Sequence, residues 1–303
     1  LPLLGLWSRA RLMKAAAFPL FAWLPASDPT LPAPVLALFA ALLTKIGVYA
    51  LLRLLGGVFQ PAPELLYAAL GWIALLSMIA GVLGAAYHWD LRRILAFHSI
   101  SQIGYILLAV ALASRAGDAA ALLFALHHSL VKAGLFLTAA LILRHAGHYD
   151  LRRIGGLYAA RPGLAVVFAL LALSLVGLPP FSGFWGKYLI VRESLVRGEY
   201  LWAGTALAVG ALTLYSMVKI WLEAFWKPHP VRGWRPPATA RLAPAHAGLG
   251  ALTLVTLWMG LFPEALIGYV NDAAAALLRS LGATRDVEDG GRDRPRQRAG
   301  QER

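Results

Sequence analysis

The chain contains no cysteine among its 303 residues, and it has only 15 acidic residues and six lysines. The lack of cysteine excludes disulfides, thiolate zinc sites and cysteine-ligated iron–sulfur clusters. Any chemistry must therefore use lysine, histidine, carboxylates, hydroxyls or the backbone. Charged residues are 14% of the composition, whereas apolar residues are 59% and the mean hydropathy is +0.65. This balance excludes the core of a water-soluble enzyme.

The formal net charge of +13 does not indicate a nucleic-acid partner, because the basic residues sit between long apolar runs and form no patch. Most of this charge is arginine in the connections between the runs. Five of the six lysines instead fall within the runs: Lys14, Lys45, Lys132, Lys187 and Lys219. Arginine is permanently charged, whereas a desolvated lysine can lose its proton near neutral pH. The sequence thus separates anchoring charge from titratable charge.

Seven or eight segments approach the length of about 20 mostly apolar residues that a helix needs to span a bilayer. They are Leu12–Leu24, Leu31–Leu55, Leu65–Ala86, Ile94–Ala113, Ala119–Leu143, Leu164–Val191 (interrupted), Tyr200–Phe225 and Ala247–Val270. We predict an all-α integral membrane protein of about eight helices, with one transmembrane domain over residues 1–280. The polar composition of residues 281–303 predicts a disordered tail.

The connecting loops differ in their basic charge. If the segments alternate, three loops share one side and carry ten lysines and arginines: Asp90–Arg93, Arg144–Arg161 and Lys227–Arg241. The opposite side carries six. Positive-inside bias predicts that the first side is cytoplasmic and that both ends of this chain lie outside.

Two of the segments are interrupted by proline and carry a lysine near the interruption. The first runs from Lys14 to Pro25 and the second from Gly177 to Lys187. Interrupted helices at corresponding positions of two halves are typical of transporters built from inverted repeats, in which freed backbone groups and a buried charge share a cavity. A simple proline kink is the alternative.

Lys45 and Lys132 lie near the middle of their segments. Lys45 is about 15 Å from either end at 1.5 Å per residue, which is too far for its ammonium group to reach water easily. A lysine at the bilayer centre costs about 2.5–3.5 kcal/mol, so we predict a function for both rather than a structural hydrogen bond. His128, one turn before Lys132, is predicted to relay protons or else to pack. A metal at His127 and His128 is disfavoured, because adjacent histidines point to different helix faces.

The other lysines are less central. Lys187 is close enough to Arg192 for snorkelling to compete with burial, but the preceding proline break favours a place beside a cavity. The burial of Lys14 is open, because its apolar run is short. Lys219 and Glu223 have the spacing of a surface ion pair on one helix.

A polar stretch enters the segment that follows Asp90, and it contains His98, Ser99, Ser101, Gln102 and Tyr105. These side chains are predicted either to bind water along a path or to bond across helices. No acidic residue lies at the centre of any segment. That absence matters because proton relays commonly pair lysine with a carboxylate.

Five motifs, in order along about 175 residues, resemble one known family. They are KAAAFPLFAWLP from Lys14, LFAALLTKIGVYALLRL from Leu38, DLRRILAFHSISQIGYI from Asp90, HHSLVKAGLFL from His127 and SLVGLPPFSGFWGK ending at Lys187. The family comprises the proton-translocating, antiporter-like membrane subunits shared by Mrp-type multisubunit Na⁺/H⁺ antiporters and respiratory complex I. Within it, the motifs are most similar to the D-type subunits of the Mrp antiporters.

The resemblance implies a fold of two inverted five-helix repeats, each with one broken helix. This chain would hold the second repeat and part of the first, and it would be incomplete at its N-terminus. By motif position, the implied proton relay contains Lys14, Lys45, His128, Lys132 and Lys187. The family's glutamate, on a helix upstream of the Lys14 position, has no counterpart in this sequence.

The resemblance also implies a function. The expected protein is a multi-pass proton-conducting subunit of the cell (inner) membrane, which assembles with other membrane subunits and exchanges H⁺ for Na⁺ or another cation. It is expected to be a transporter subunit and not an enzyme, with no cofactor, metal or nucleic-acid partner. One alternative is the proton-pumping arm of a quinone oxidoreductase or membrane hydrogenase. A second is a non-conducting, truncated subunit that only packs against its partners.

Overall fold

The computed structural model describes residues 2–55, 63–235 and 243–276. The regular secondary structure in these ranges consists of helices, apart from one isolated β-bridge between Asp90 and Asp150. The predicted polar tail, residues 281–303, lies outside the described residues. Six described helices are long and apolar enough to cross a membrane. The predicted class, an all-helical integral membrane protein, is confirmed.

Twelve helices follow one another in the described ranges. They are α1 (Pro2–Ala15), α2 (Trp23–Ser27), α3 (Ala33–Arg53), α4 (Glu64–Tyr87), α5 (Leu91–Ala111), α6 (Arg115–Ala146), α7 (Leu157–Ala160), α8 (Pro162–Val176), α9 (Ser182–Val196), α10 (Tyr200–Ile220), α11 (Ala243–Leu261) and α12 (residues 263–276). A 3₁₀ turn at Asp28–Thr30 joins α2 to α3, and a π-turn at Trp221–Trp226 extends α10.

The last predicted segment, Ala247–Val270, is wrong as a single helix. Helix α11 ends at Leu261, and α12 begins at Pro263. Proline has no amide hydrogen to continue the helical ladder, but its fixed φ suits the first position of a new helix. Pro263 and Glu264 also interrupt the apolar run at this point, so the sequence contains the signal for the division.

Helix α5 forms the centre of the bundle, and 18 of its 21 residues are buried. Glycines allow α4 to approach it closely. A β-carbon added to Gly81 would lie 2.4 Å from the Ser101 nitrogen, and one added to Gly104 would lie 2.5 Å from the Met78 Cγ. Small residues that let two backbones touch are typical of membrane helix packing. This packing carries the polar stretch of α5 into the interior.

Three of the basic loops lie together at one end of the bundle. The two Asp-Leu-Arg-Arg tetrapeptides pair there: the Leu91 nitrogen donates to the Tyr149 carbonyl at 2.9 Å, and the Leu151 nitrogen donates to the Trp89 carbonyl at 3.0 Å. The third loop joins them, since the Lys227 ammonium donates to the Leu151 carbonyl at 3.1 Å. The predicted clustering of these loops on one side is confirmed, and their cytoplasmic location stays a prediction.

Asp150 caps the short turn in one of these loops and makes two side-chain hydrogen bonds with Arg152. The Arg152 guanidinium lowers the pKa of Asp150 from 3.8 to about 2. A carboxyl group with a lowered pKa stabilises the fold above its ordinary pKa, and this contribution is lost as the pH falls from about 4 to about 2.

We therefore expect the unfolding midpoint of the Asp150→Asn variant in detergent to lie below that of the wild type at pH 5 and to approach it at pH 2. Thermal scans of both proteins across this range measure the difference. A gap that stays constant with pH would show that the ionised carboxylate contributes nothing.

Candidate functional site

The helix formed by α8 and α9 is broken at Gly177–Phe181, and Lys187 closes the break. The carbonyls at the end of α8 have no helical partner beyond Gly177, whose φ is +88°. The Lys187 ammonium donates to the Val176 carbonyl at 2.8 Å and to the Leu175 carbonyl at 3.1 Å. A cation is favourable at this negative end of a half-helix. Lys187 is 9% exposed, so it lies at the cavity and does not snorkel toward Arg192.

A small polar network crosses the same break. The Ser182 hydroxyl bonds to the Ser174 hydroxyl and to His127 Nδ1, both at 2.8 Å. Gly183 makes this contact possible, because a β-carbon added there would lie 2.0 Å from the Ser174 carbonyl oxygen. The network joins α6 to both halves of the broken helix and fixes the position of Lys187 relative to α6.

Lys132 and Lys45 are buried in the interior formed by α3, α5 and α6, at 0% and 9% exposure. The Lys132 ammonium donates to the Leu95 carbonyl of α5, and the Lys45 ammonium donates to the Ala40 carbonyl at 2.6 Å. In the described part of the chain, neither forms an ion pair with a carboxylate. Both lysines are thus held by neutral backbone oxygens.

His128 lies among the three buried lysines. Its side chain is fully buried, and neither ring nitrogen has a hydrogen-bond partner among the residues that the structure describes. It interacts electrostatically with Lys45, Lys132 and Lys187. The structure therefore brings four predicted relay residues together in one buried group, which we call the lysine row: Lys45, His128, Lys132 and Lys187.

Lys14, the fifth predicted relay residue, is exposed at the end of α1 and is not part of this group. The short apolar run that precedes it left its burial open. Its role in a relay stays a prediction that depends on the motif alone.

The predicted ion pair between Lys219 and Glu223 is wrong. The Lys219 ammonium donates to the Ala86 and His88 carbonyls, both at 2.7 Å, at the end of α4, and Glu223 pairs with Lys227 instead. The last carbonyls of α4 lack helical hydrogen-bond partners, and the Lys219 ammonium supplies them. These hydrogen bonds stabilise the fold more than a surface ion pair with Glu223 would, because surface ion pairs contribute little.

The polar stretch of α5 divides between the two predicted roles. His98 Nε2 bonds to the Ser216 hydroxyl at 2.9 Å, and the Tyr105 hydroxyl donates to the Ala206 carbonyl, so these two side chains bond across to α10. The amide atoms of Gln102 are buried and find no protein partner in the described ranges. An amide of this kind is suited to bind water along a path.

Asp28 is a buried charged residue that sequence reasoning missed. It lies in the 3₁₀ turn before α3, is 4% exposed and interacts electrostatically with Lys132 and Lys45. A search for acidic residues at segment centres could not find it, because it lies between segments and next to Pro29. The available signal was its place three residues after the Trp-Leu-Pro motif of a broken helix.

No three histidine, aspartate or glutamate side chains of the described residues come together as a metal site. The chemistry of the site is instead that of titratable nitrogen atoms enclosed by membrane helices with an interrupted segment. This combination defines a class of membrane transport protein, in which broken helices and buried charges line the ion path.

The family model described as "NADH:quinone oxidoreductase/Mrp antiporter, TM" matches residues 3–221. The chain therefore belongs to this family and is a multi-pass protein of the cell membrane, as its motifs predicted.

Relatives from both branches of the family match the chain. The D-type Na(+)/H(+) antiporter subunit of Alkalihalophilus pseudofirmus is 42% identical over 214 residues, which are 71% of this chain and 43% of that protein. The N-type NADH-quinone oxidoreductase subunit of Desulforudis audaxviator is 35% identical over 272 residues, 85% of this chain and 54% of that protein. The chain spans about half the length of these curated relatives.

A solved structure supports the same assignment. A chain in the structure of the Mrp complex from Dietzia sp. DQ12-45-1b superposes with a TM-score of 0.82 at 32% sequence identity. The match covers 91% of this chain and 59% of that chain. The architecture of twelve described helices with an interrupted segment is thus that of the family.

Proposed function

We propose that this chain acts as a proton-conducting subunit of a multisubunit cation/H⁺ antiporter, with Na⁺ as the exchanged cation. The lysine row is the observation that carries the proposal. Three lysines and a histidine in the membrane interior are costly, at about 2.5–3.5 kcal/mol for each charged side chain at the bilayer centre. Such residues usually mark ion or proton pathways.

In this proposal, protons pass among Lys45, His128 and Lys132 and leave toward Lys187. Lys187 borders a cavity of about 290 Å³ between α9 and α10. The Tyr105 ring lies on the same cavity, with its centroid 4.6 Å from the Lys187 ammonium, so the cavity has a polar end beside otherwise apolar walls. Each charge moved across the membrane exchanges about 2.3 kcal/mol per 100 mV with the membrane potential.

The proposal places Lys14 at the first broken helix, where the family motif has a relay lysine. Other membrane subunits of the complex would complete the path and bind the cation.

A proton-pumping subunit of a redox complex is the second candidate. It is favoured by the similarity to a quinone oxidoreductase subunit of the same family. In this case the lysine row would move protons in the same way, but electron transfer in partner subunits would drive it.

Reconstitution of the assembled complex tests the two candidates. Proteoliposomes are loaded at acidic pH with an internal pH-sensitive dye and then given external Na⁺ or choline. We expect Na⁺ alone to make the interior more alkaline, without any redox substrate. Failure of Na⁺, combined with proton movement on addition of NADH and a quinone, would overturn the antiporter proposal in favour of the redox complex.

A further inference from the structure

The turn between the first broken helix and α3 brings a carboxylate into the interior, near buried lysines that form no close ion pair with any carboxylate of the described ranges. Asp28 is 4% exposed, although aspartate is rarely buried without a partner for its charge. Its Oδ2 atom is buried and has no hydrogen-bond partner in the described ranges. The local turn therefore does not explain why an ionisable group occupies this position.

Lys45 reaches toward this turn. Its ammonium donates to the carbonyl of Ala40, five residues earlier on α3. The side chain of Lys45 therefore extends toward the N-terminal end of α3. The start of α3 is where the Asp28–Thr30 turn joins the helix. Asp28 and Lys45 accordingly interact electrostatically.

Lys132 reaches the same region from α6. Its ammonium donates to the Leu95 carbonyl in the first half of α5, and the Asp28–Thr30 turn packs against α5. Lys132 interacts electrostatically with both Lys45 and Asp28. Two lysines from different helices thus interact electrostatically with one carboxylate from the broken-helix turn.

We propose that Asp28 is the charge partner that allows Lys45 and Lys132 to share one proton. The proposal rests on the proposed function, since it adds Asp28 to the Lys45–Lys132 part of the same proton path. With Asp28 ionised and one of the two lysines protonated, the buried cluster has zero net charge, so it avoids the cost of an unpaired buried ion.

The transfer step is a simple exchange. One N–H bond of the Lys45 ammonium breaks while an N–H bond forms on the neutral Lys132 amine, directly or through water, and the reverse step is equivalent. Asp28 keeps its negative charge throughout. The net charge of the cluster is the same before and after the transfer.

Asp28→Asn is the decisive variant, because it removes the charge and nearly preserves the shape. Without the carboxylate, the cluster is left with a positive charge when it holds one proton, so loading it requires a higher proton concentration. In vesicles containing the assembled complex, we expect the alkaline limb of the exchange profile to move to lower pH by about 1 unit. Asp28→Glu, which keeps the charge, is expected to retain the wild-type profile.

Asp272→Asn is the matched control, because Asp272 is an exposed aspartate on α12. It should leave the profile unchanged. The other titratable groups that interact with Lys45 or Lys132 are His98, His127 and His128, and all three remain in every variant. A profile of Asp28→Asn that superimposes on that of the wild type overturns the charge-partner role.

Two further outcomes keep this test separate from that of the proposed function. If the complex exchanges no cation even as wild type, the proposed function fails first. If Lys132→Ala abolishes exchange and Asp28→Asn changes neither rate nor profile, only the present proposal fails. Where immunoblots show that Asp28→Asn does not assemble, Asp28→Glu decides: exchange with the wild-type profile supports the charge role, and its loss overturns it.

Discussion

Replacing Lys132 with alanine is expected to reduce cation-coupled proton exchange to the background of vesicles that lack the complex. Lys132 is fully buried, and its ammonium bridges α6 to the Leu95 carbonyl of α5. Alanine removes the nitrogen that accepts and releases the proton in the proposed relay, and neither His128 nor Lys45 occupies its position. Exchange is measured from the change in vesicle pH on addition of Na⁺, and the amount of assembled subunit is measured by immunoblot.

A second variant at Lys132 and a control variant test whether exchange requires a side chain that can release its proton, and not merely a positive charge of similar size. Lys132→Arg keeps a positive charge that is never released, so it is expected to remain inactive even where it assembles. Lys227→Gln is the matched control, because Lys227 lies in a loop and pairs with Glu223. Its exchange should stay within about twofold of the wild type, since Lys227 lies outside the lysine row and its half-buried contacts with Glu223 and the Leu151 carbonyl join loops at the end of the bundle. Normal exchange by Lys132→Ala would remove Lys132 from the relay.

Among substitutions that add one methyl group to the site, Gly183→Ala is expected to lower the stability of the fold most. The new β-carbon would lie 2.0 Å from the Ser174 carbonyl oxygen and 2.9 Å from His127 Nε2. The backbone oxygen cannot rotate away, so α9 must move from the end of α8 and take Lys187 with it. We expect destabilisation at or above the upper end of about 1–3 kcal/mol, which is the usual cost of overpacking.

The unfolding midpoint of the purified complex and its exchange rate should both fall in this variant. Gly204→Ala on α10 is the control, because its β-carbon would meet nothing within 4 Å. Alanine at an open helical position is expected to be neutral or to stabilise by up to about 1 kcal/mol. Equal midpoints for the two variants would show that the contact at Gly183 is loose.

The sequence predicted the helices and three of the buried lysines because a single property governs both. A segment without access to water must be apolar and helical, so the central positions of Lys45 and Lys132 followed from segment length alone. Lys187 followed from the proline break beside it. The burial of these three lysines depends on the sequence of a single segment and not on the packing of one segment against another.

The sequence was less informative where neighbouring elements decide the outcome. The pairing of Lys219 depends on the end of α4, which lies more than 130 residues away in the chain. The burial of Asp28 depends on how a short turn lies against α5. Side-chain spacing within one helix cannot show contacts of this kind.

The three buried lysines all donate to peptide oxygens: Ala40 for Lys45, Leu95 for Lys132, and Leu175 and Val176 for Lys187. An amine keeps N–H groups after its proton has left, so a peptide oxygen accepts from it in either form. Each nitrogen can therefore stay where it is while its charge comes and goes. If the nitrogen atoms of the proposed proton path keep their positions, each proton transfer requires little reorganisation of the protein. The rate of exchange would then be limited by the movement of water and of the cation.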